Sequence, residues 1–202
     1  MALLFTDSTY DINLGLLSDE LNWLELKSHL GQKASAILQS ETQNLCQAHS
    51  VNPQDLKAII TVSGPGFYTG LRLSEGFADI FKVFRVPCFS FYSYEIPRWC
   101  GHQSGVWMTK AYRGEYFFHQ WDGDTSSNTL VATKDLPEYL KKFEHVFIHS
   151  LPAIDQELKN YTSTIDLLKA MPSIIIGEVL GNKLQRESFY FRAPEDEFRV
   201  SI

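Results

Sequence analysis

A strand that runs into a glycine-punctuated turn and out into a helix narrows the folds open to this chain. Val62-Ser-Gly64-Pro65-Gly66-Phe67-Tyr68-Thr69-Gly70-Leu71-Arg72 ends an apolar run, breaks at two glycines and a proline, and enters a helical pattern. Glycine supplies backbone angles that other residues resist, and Thr69 is a residue type that caps helices. Successive backbone N–H groups in such a turn, backed by a helix N-terminus, can cradle an anion. The same residues also suit a tight strand-to-helix turn with no ligand. The stretch lacks the Gly-Lys-Ser/Thr ending of a Walker-type phosphate loop.

The flanking segments alternate strand and helix signals. Leu3–Ser8, Ile12–Leu17 and Trp23–Leu26 read as three short strands, which predicts an antiparallel start. Ala34, Ile37, Leu38, Leu45 and Ala48 fall at helical spacing and predict a helix over 34–48, closed by Asn52-Pro53. Leu56–Val62 is a buried-strand candidate, a second helix is expected from about Gly70 to Arg85, and Cys88–Tyr94 is the next strand. The Pro-, Gly- and polar-rich run from Tyr94 to Gly105 predicts a lobe boundary, giving lobes 1–101 and 102–202 with the final segment free to pack back on the first. Beyond it, Val106–Tyr112 and Glu115–Trp121 flank Arg113-Gly114 as a hairpin. Asp122–Asn128 reads as a loop, Leu136–Phe143 as a helix, His145–His149 as a strand, and Pro172–Gln185 as a helix with proline in its first turn. No repeat of fixed period is visible.

Composition removes whole classes of function. With 202 residues, 44% of them hydrophobic, the chain can bury roughly 70% of its unfolded surface, so it is not disordered. A net charge of −6 without a Lys/Arg run argues against a surface that grips nucleic-acid phosphates by itself. Three cysteines, Cys46, Cys88 and Cys100, make neither a disulfide framework nor a CxxC zinc pair. There is no signal-peptide pattern and no membrane-length apolar run, so a cytoplasmic protein with no membrane association is expected.

The second helix carries an unusually wide apolar arc. Leu73, Phe77, Ile80, Phe81 and Phe84 are expected to cover the sheet, with Gly76 and Val83 on one flank and Leu71, Ser74 and Ala78 on the other. Gly70, Ser74 and Ala78 form a small-residue ridge at four-residue spacing, and Ala36, Ser40 and Gln43 offer a similar strip on the first helix. Either the second lobe buries this surface or another subunit does. Arg72, in the first turn, is a cation where the helix dipole disfavours one by roughly 0.3–1 kcal/mol. Exposure to water, a partner carboxylate or an internal carboxylate such as Asp7 would offset that cost.

Gly64-Pro-Gly-Phe-Tyr-Thr-Gly-Leu-Arg-Leu73 resembles the GPGSFTGLRIG signature of the bacterial TsaB (YeaZ) family. Leu4-Phe-Thr-Asp-Ser-Thr9 is similar to its first strand, Arg113-Gly-Glu-Tyr116 to its RGEVY hairpin, and Phe189-Tyr-Phe-Arg192 to its terminal YLR element. Phe67 replaces the signature's serine, Ser74 its final glycine, Lys110 and Tyr112 an Asp and an Arg of the hairpin, and Gln32-Lys33-Ala34 a His-Ser-Glu. The resemblance implies a two-lobed α/β fold of the actin/Hsp70/sugar-kinase (ASKHA) type with a βββαβαβα first lobe. It also implies a non-catalytic subunit that pairs with a TsaD-like transferase through its first two helices. A TsaE-like ATPase joins them, and the complex forms threonylcarbamoyladenosine beside the tRNA anticodon. On this reading tRNA is met only through the complex, ATP and a metal belong to partner subunits, and homodimers form through a related surface. The partner-binding residues would be Ala36, Ser40, Gln43, Gly70, Leu71, Ser74 and Ala78, and the signature turn Gly64, Pro65, Gly66, Thr69, Gly70 and Arg72.

An independent ATPase or small-molecule phosphotransferase is the competing reading, with Asp7 as its acidic residue. Asp7-Ser-Thr-Tyr10 has no glycine for close phosphate approach, and Ile176-Gly177-Glu-Val-Leu-Gly181 is the nearest second phosphate loop. No nucleophile elbow or triad spacing is visible. His145 and His149 form the chain's HxxxH, but on a strand such residues stand roughly 13 Å apart, too far to share a zinc ion.

Overall fold

Alternate facing of buried side chains into two cores organises the first half of the chain. In the computed structural model, which describes residues 2–111, 114–149 and 161–191, β1 (Leu3–Asp7) sends Leu3 and Phe5 into one core and Leu4 into another. The next strand in space, β4 (Ala58–Val62), does the same: Ile59 faces the core of Leu4, while Ala58, Ile60 and Val62 face that of Phe5. Strands buried on both faces need near-continuous apolar sequence, which these have. The sheet order is β3-β2-β1-β4-β5, with β2 (Ile12–Leu17) and β3 (Trp23–His29) antiparallel to β1, and β4 and β5 (Cys88–Phe91) parallel to it.

Helix α1 (Ala34–Ala48), with the bounds the sequence predicts, covers one face of this sheet together with α2 (Tyr68–Val83). The other face is covered by α5 (Thr164–Ala170) and α6 (Pro172–Gly181), through Leu168, Ile175, Ile176 and Val179. The chain therefore leaves the first sheet, builds a second, and returns. The second sheet has the order β10-β9-β6-β7-β8. Its strands are β6 (Ser104–Lys110), β7 (Glu115–Asp122), β8 (Thr125–Ala132), β9 (Val146–Ile148) and β10 (Thr162–Ser163). Reading β6 as β1, the two sheets have one topology: an antiparallel meander of three, then two parallel strands. The short α3 (Ile96–Trp99) lies on the crossover, and α4 (Leu136–Leu140) packs on Phe118 and Tyr116 of the second sheet. This is the two-lobed α/β architecture expected above.

Several local expectations are corrected. The segment 122–128 is not one loop: only Gly123 and Asp124 separate β7 from β8, because every residue of Thr125–Ala132 pairs with β7. Its polar side chains reflect an exposed edge. Helix α2 begins two residues before Gly70, and its N-cap is Phe67, with no side-chain cap bond; Thr69 is an ordinary second-position residue. The helix stops at Val83 because Arg85 turns left-handed (φ 61°). Val86 N–H then donates to Phe81 O (3.1 Å) and Arg85 N–H to Lys82 O (2.9 Å), a Schellman closure. Lys183 (φ 50°) and Leu184 N–H to Val179 O (3.0 Å) end α6 in the same way, short of Gln185. The helix after Leu136 ends at Leu140 rather than Phe143. Tyr112, Arg113 and Arg192 lie outside the described residues.

Candidate functional site

The signature turn is committed to the chain's own packing. Gly64 (φ 113°) accepts hydrogen bonds at its carbonyl from Ser93 N–H (2.9 Å) and Ser93 Oγ (3.2 Å), and the Gly64–Pro65 peptide is cis. A Cβ on Gly64 would stand 2.7 Å from the Phe189 carbonyl oxygen. Phe189 N–H donates to Ser63 O (2.8 Å), and Gly66 forms a bridge with Tyr190, so the segment before residue 192 lies across the turn. At Gly70 a Cβ would meet the Ser8 carbonyl oxygen at 1.9 Å. Only glycine lets α2 approach the end of β1 so closely. Ser74 fills the place of the signature's last glycine by bonding Ser8 Oγ (2.7 Å), and Phe67 packs on Tyr10 with ring centres 4.5 Å apart, the rings tilted by 53°. These contacts are those of a tight strand-to-helix turn, and Phe67 N–H itself donates to Thr9 O (3.2 Å).

Where an ATPase of this architecture would place its first acid, Asp7 is fully buried and saturated. Oδ1 accepts from Thr9 N–H (2.9 Å) and Thr9 Oγ1 (2.7 Å), and Oδ2 accepts from Asn13 Nδ2 (3.1 Å). Oδ2 also lies 2.9 Å from His149 Nε2, beyond the end of β9, so the pair joins the two sheets. His149 Nδ1 stands 2.7 Å from Thr164 Oγ1 at the start of α5. Burial alone would raise the Asp7 carboxyl, but the His149 imidazole and the Thr9 hydrogen bonds outweigh it and hold the carboxyl below its usual range. Carboxylate, imidazole and hydroxyl lie in the order of a hydrolytic triad, yet all three residues are 0% exposed and the hydroxyl is also within 3.3 Å of the Ile148 carbonyl. Buried in this way, the array ties the end of β1 to the end of β9 and the start of α5. Sequence spacing could not reveal it, because 142 residues separate Asp7 from His149. Gly177 lies within α6, whose Gly181 is its last residue, so neither forms a phosphate loop.

Asp7 therefore does not pair with Arg72. Arg72 Nη1 bonds Glu75 Oε2 (2.8 Å), and its guanidinium lies over the rings of Tyr68 (5.5 Å) and Tyr190 (5.8 Å). An exposed i,i+3 pair of this kind contributes roughly 0.2–0.5 kcal/mol, comparable to the dipole cost it offsets. His145 and His149 sit at opposite ends of β9, the latter engaged by Asp7.

The open surface lies between α1 and α2. Leu71, Ser74, Phe77, Ala78 and Phe81 face inward, so Leu71, Ser74 and Ala78 belong to the interior, and Gly70 is wedged against Ser8. The face left open is turned by about two residues: Gly76 has nothing within 4 Å of where a Cβ would be. Ile80 is 56% exposed, Val83 79% and Phe84 48%. Apolar side chains this exposed on one helix are unusual for a surface without a neighbour. A groove of about 420 Å³ runs between the helices, floored by Leu38, Phe77 and Phe81 and edged by Gln39, Gly76 and Ile80. Among the described residues Arg72 is the one charged residue along its lining. Ala36, Ser40 and Gln43 are exposed on α1, with Gln43 at the groove.

No family model matches the sequence, and no curated protein does. Solved structures do match. An uncharacterized protein from Pseudomonas aeruginosa with similarity to the peptidase YEAZ superposes with a TM-score of 0.61 at 17% identity, over 95% of this chain and 99% of that one. YeaZ from Pseudomonas aeruginosa superposes with a TM-score of 0.60 at 18% identity, over 93% and 97% of the two chains. The chain shares the fold of these structures, with two five-stranded sheets of one topology.

Proposed function

We propose that this chain is a non-catalytic scaffold that docks a TsaD-like transferase subunit on the groove between α1 and α2, within the complex that forms threonylcarbamoyladenosine on tRNA. The observation that carries the reading is the apolar face of Gly76, Ile80, Val83 and Phe84, which stays open among the described residues. A pair of partner helices laid into this groove would bury Ile80 and Phe84 and approach closely over Gly76. Ala36, Ser40 and Gln43 supply a small, uncharged counter-strip. The docking residues on α2 are thus these, in place of Leu71, Ser74 and Ala78. Homodimers would use the same face and compete with the heterodimer.

Two features weigh against an independent ATPase: Asp7 is spent on His149, Thr9 and Asn13, and the glycine turn carries Phe189 and Tyr190. ATP and a metal then belong to the partners, with a TsaE-like ATPase joining the pair and tRNA contacted through the whole complex. Among the described residues no helix is long and apolar enough to cross a membrane. The test is reconstitution of threonylcarbamoyl transfer to tRNA from TsaD- and TsaE-like subunits with and without this chain, beside calorimetry of the isolated chain with ATP and magnesium. Transfer that depends on the chain, with no ATP heat from the chain alone, supports the proposal. Transfer indifferent to the chain, or saturable ATP binding by it, overturns it.

A further inference from the structure

Six histidines are present. Four have polar partners: His29 faces Glu41 (3.5 Å), His49 faces Glu25 (2.8 Å), His119 faces Asn128 (2.7 Å) and His149 faces Asp7. The two remaining imidazoles, His102 and His145, make no hydrogen bond or ion pair among the described residues, and they are beside each other. Their ring centres are 5.6 Å apart at an interplanar angle of 60°.

The backbone holds both in place. His102 N–H donates to Pro97 O (3.1 Å), its carbonyl accepts the indole N–H of Trp121 (3.0 Å), and its ring packs on Phe147 (4.7 Å). His145 precedes β9, and its carbonyl accepts Val106 N–H (3.0 Å) from β6. The His145 side chain is exposed.

Zn–N bonds are ~2.0–2.1 Å, and an imidazole centre lies about 1.1 Å beyond its nitrogen. Two imidazoles on one tetrahedral ion therefore have centres about 5.2 Å apart. The observed spacing is within a small side-chain rotation of that value. We propose that His102 and His145 form a two-histidine site for a divalent transition-metal ion of the zinc, nickel and copper class. Imidazole suits these ions. No group of three or more His, Cys, Asp or Glu side chains is placed to hold a metal among the described residues, so water completes the coordination. The ion would clip the crossover that follows α3 to the residue that precedes β9. It would stabilise the second lobe without touching the groove or the Asp7–His149 tie.

The test uses the full chain without added histidines. Zinc and nickel chloride are titrated calorimetrically, and thermal midpoints are read with each ion. The wild type should bind one equivalent and gain in midpoint. His145→Gln, a change at an exposed position, should lose at least tenfold in affinity and the midpoint gain. His102→Gln should do likewise, with circular dichroism confirming its fold. Cys100→Ser should bind as the wild type does, since no thiol takes part. No saturable binding by the wild type, equal binding by His145→Gln, or loss of binding in Cys100→Ser would each overturn the site.

Discussion

Replacing Ile80 by arginine separates docking from folding. In the free chain Ile80 is 56% exposed and the helix interior accepts arginine at least as well as isoleucine, so stability should change by less than about 0.5 kcal/mol. In a docked complex the same position is covered. Losing the half of an isoleucine side chain still open to burial costs roughly 1 kcal/mol. The new guanidinium has no carboxylate of this chain along the groove to meet, since Arg72 is the only charged residue lining it among the described residues. An uncompensated buried charge costs about 3 kcal/mol or more. The total of about 4 kcal/mol corresponds to roughly a thousandfold loss of affinity. Fluorescence anisotropy of the labelled chain titrated with a TsaD-like subunit measures this, with urea denaturation of the free variant as control. A variant that folds normally and binds within threefold of wild type would refute the placement of the docking face.

Three further changes test the packing argument. Gly70→Ala puts a methyl 1.9 Å from the Ser8 carbonyl and should lower the urea midpoint by an amount worth about 2–4 kcal/mol; a cost below 0.5 kcal/mol would contradict the close approach. The Asp7 carboxyl is held below its unfolded value of 3.8, so its contribution is present above that pH and lost as pH falls through the lower folded value. The stability gap between wild type and Asp7→Asn should accordingly be about 3 kcal/mol at pH 7 and shrink below about pH 4, whereas a pH-independent gap would deny the ionised tie. Arg85→Gly relieves a left-handed non-glycine residue (φ 61°) and should stabilise the chain by about 0.5–1 kcal/mol in thermal denaturation; destabilisation would indicate that the arginine side chain matters more than its backbone.

Much of the first lobe was legible because its signals are local. The alternate apolar residues Ile12, Leu14 and Leu16, which enter one core, and the 3.6-period of Ala34–Ala48 each answer to one dominant force, removal of apolar surface from water. The end of α2 was not legible, because a Schellman turn usually announces itself with glycine and here uses Arg85. The facing of α2 misled for a related reason. Ile80 and Phe84 are the residues that composition assigns to a core, and their exposure departs from that rule, whereas Ser74 and Ala78 are buried through the close approach allowed by Gly70. Polar β8 resembled a loop because an edge strand draws its stability from the neighbour's ladder rather than from its own burial. The Asp7–His149–Thr164 tie lay beyond any local reading, since only the pairing of β6 with β9 brings His149 to the end of β1.

Hydrogen–deuterium exchange of the chain with and without a TsaD-like subunit tests the docking face most directly. Slower exchange concentrated in 34–48 and 68–86, with β6 to β8 unchanged, is the predicted outcome. Protection confined to the second sheet, while α1 and α2 exchange at the free rate, would contradict it.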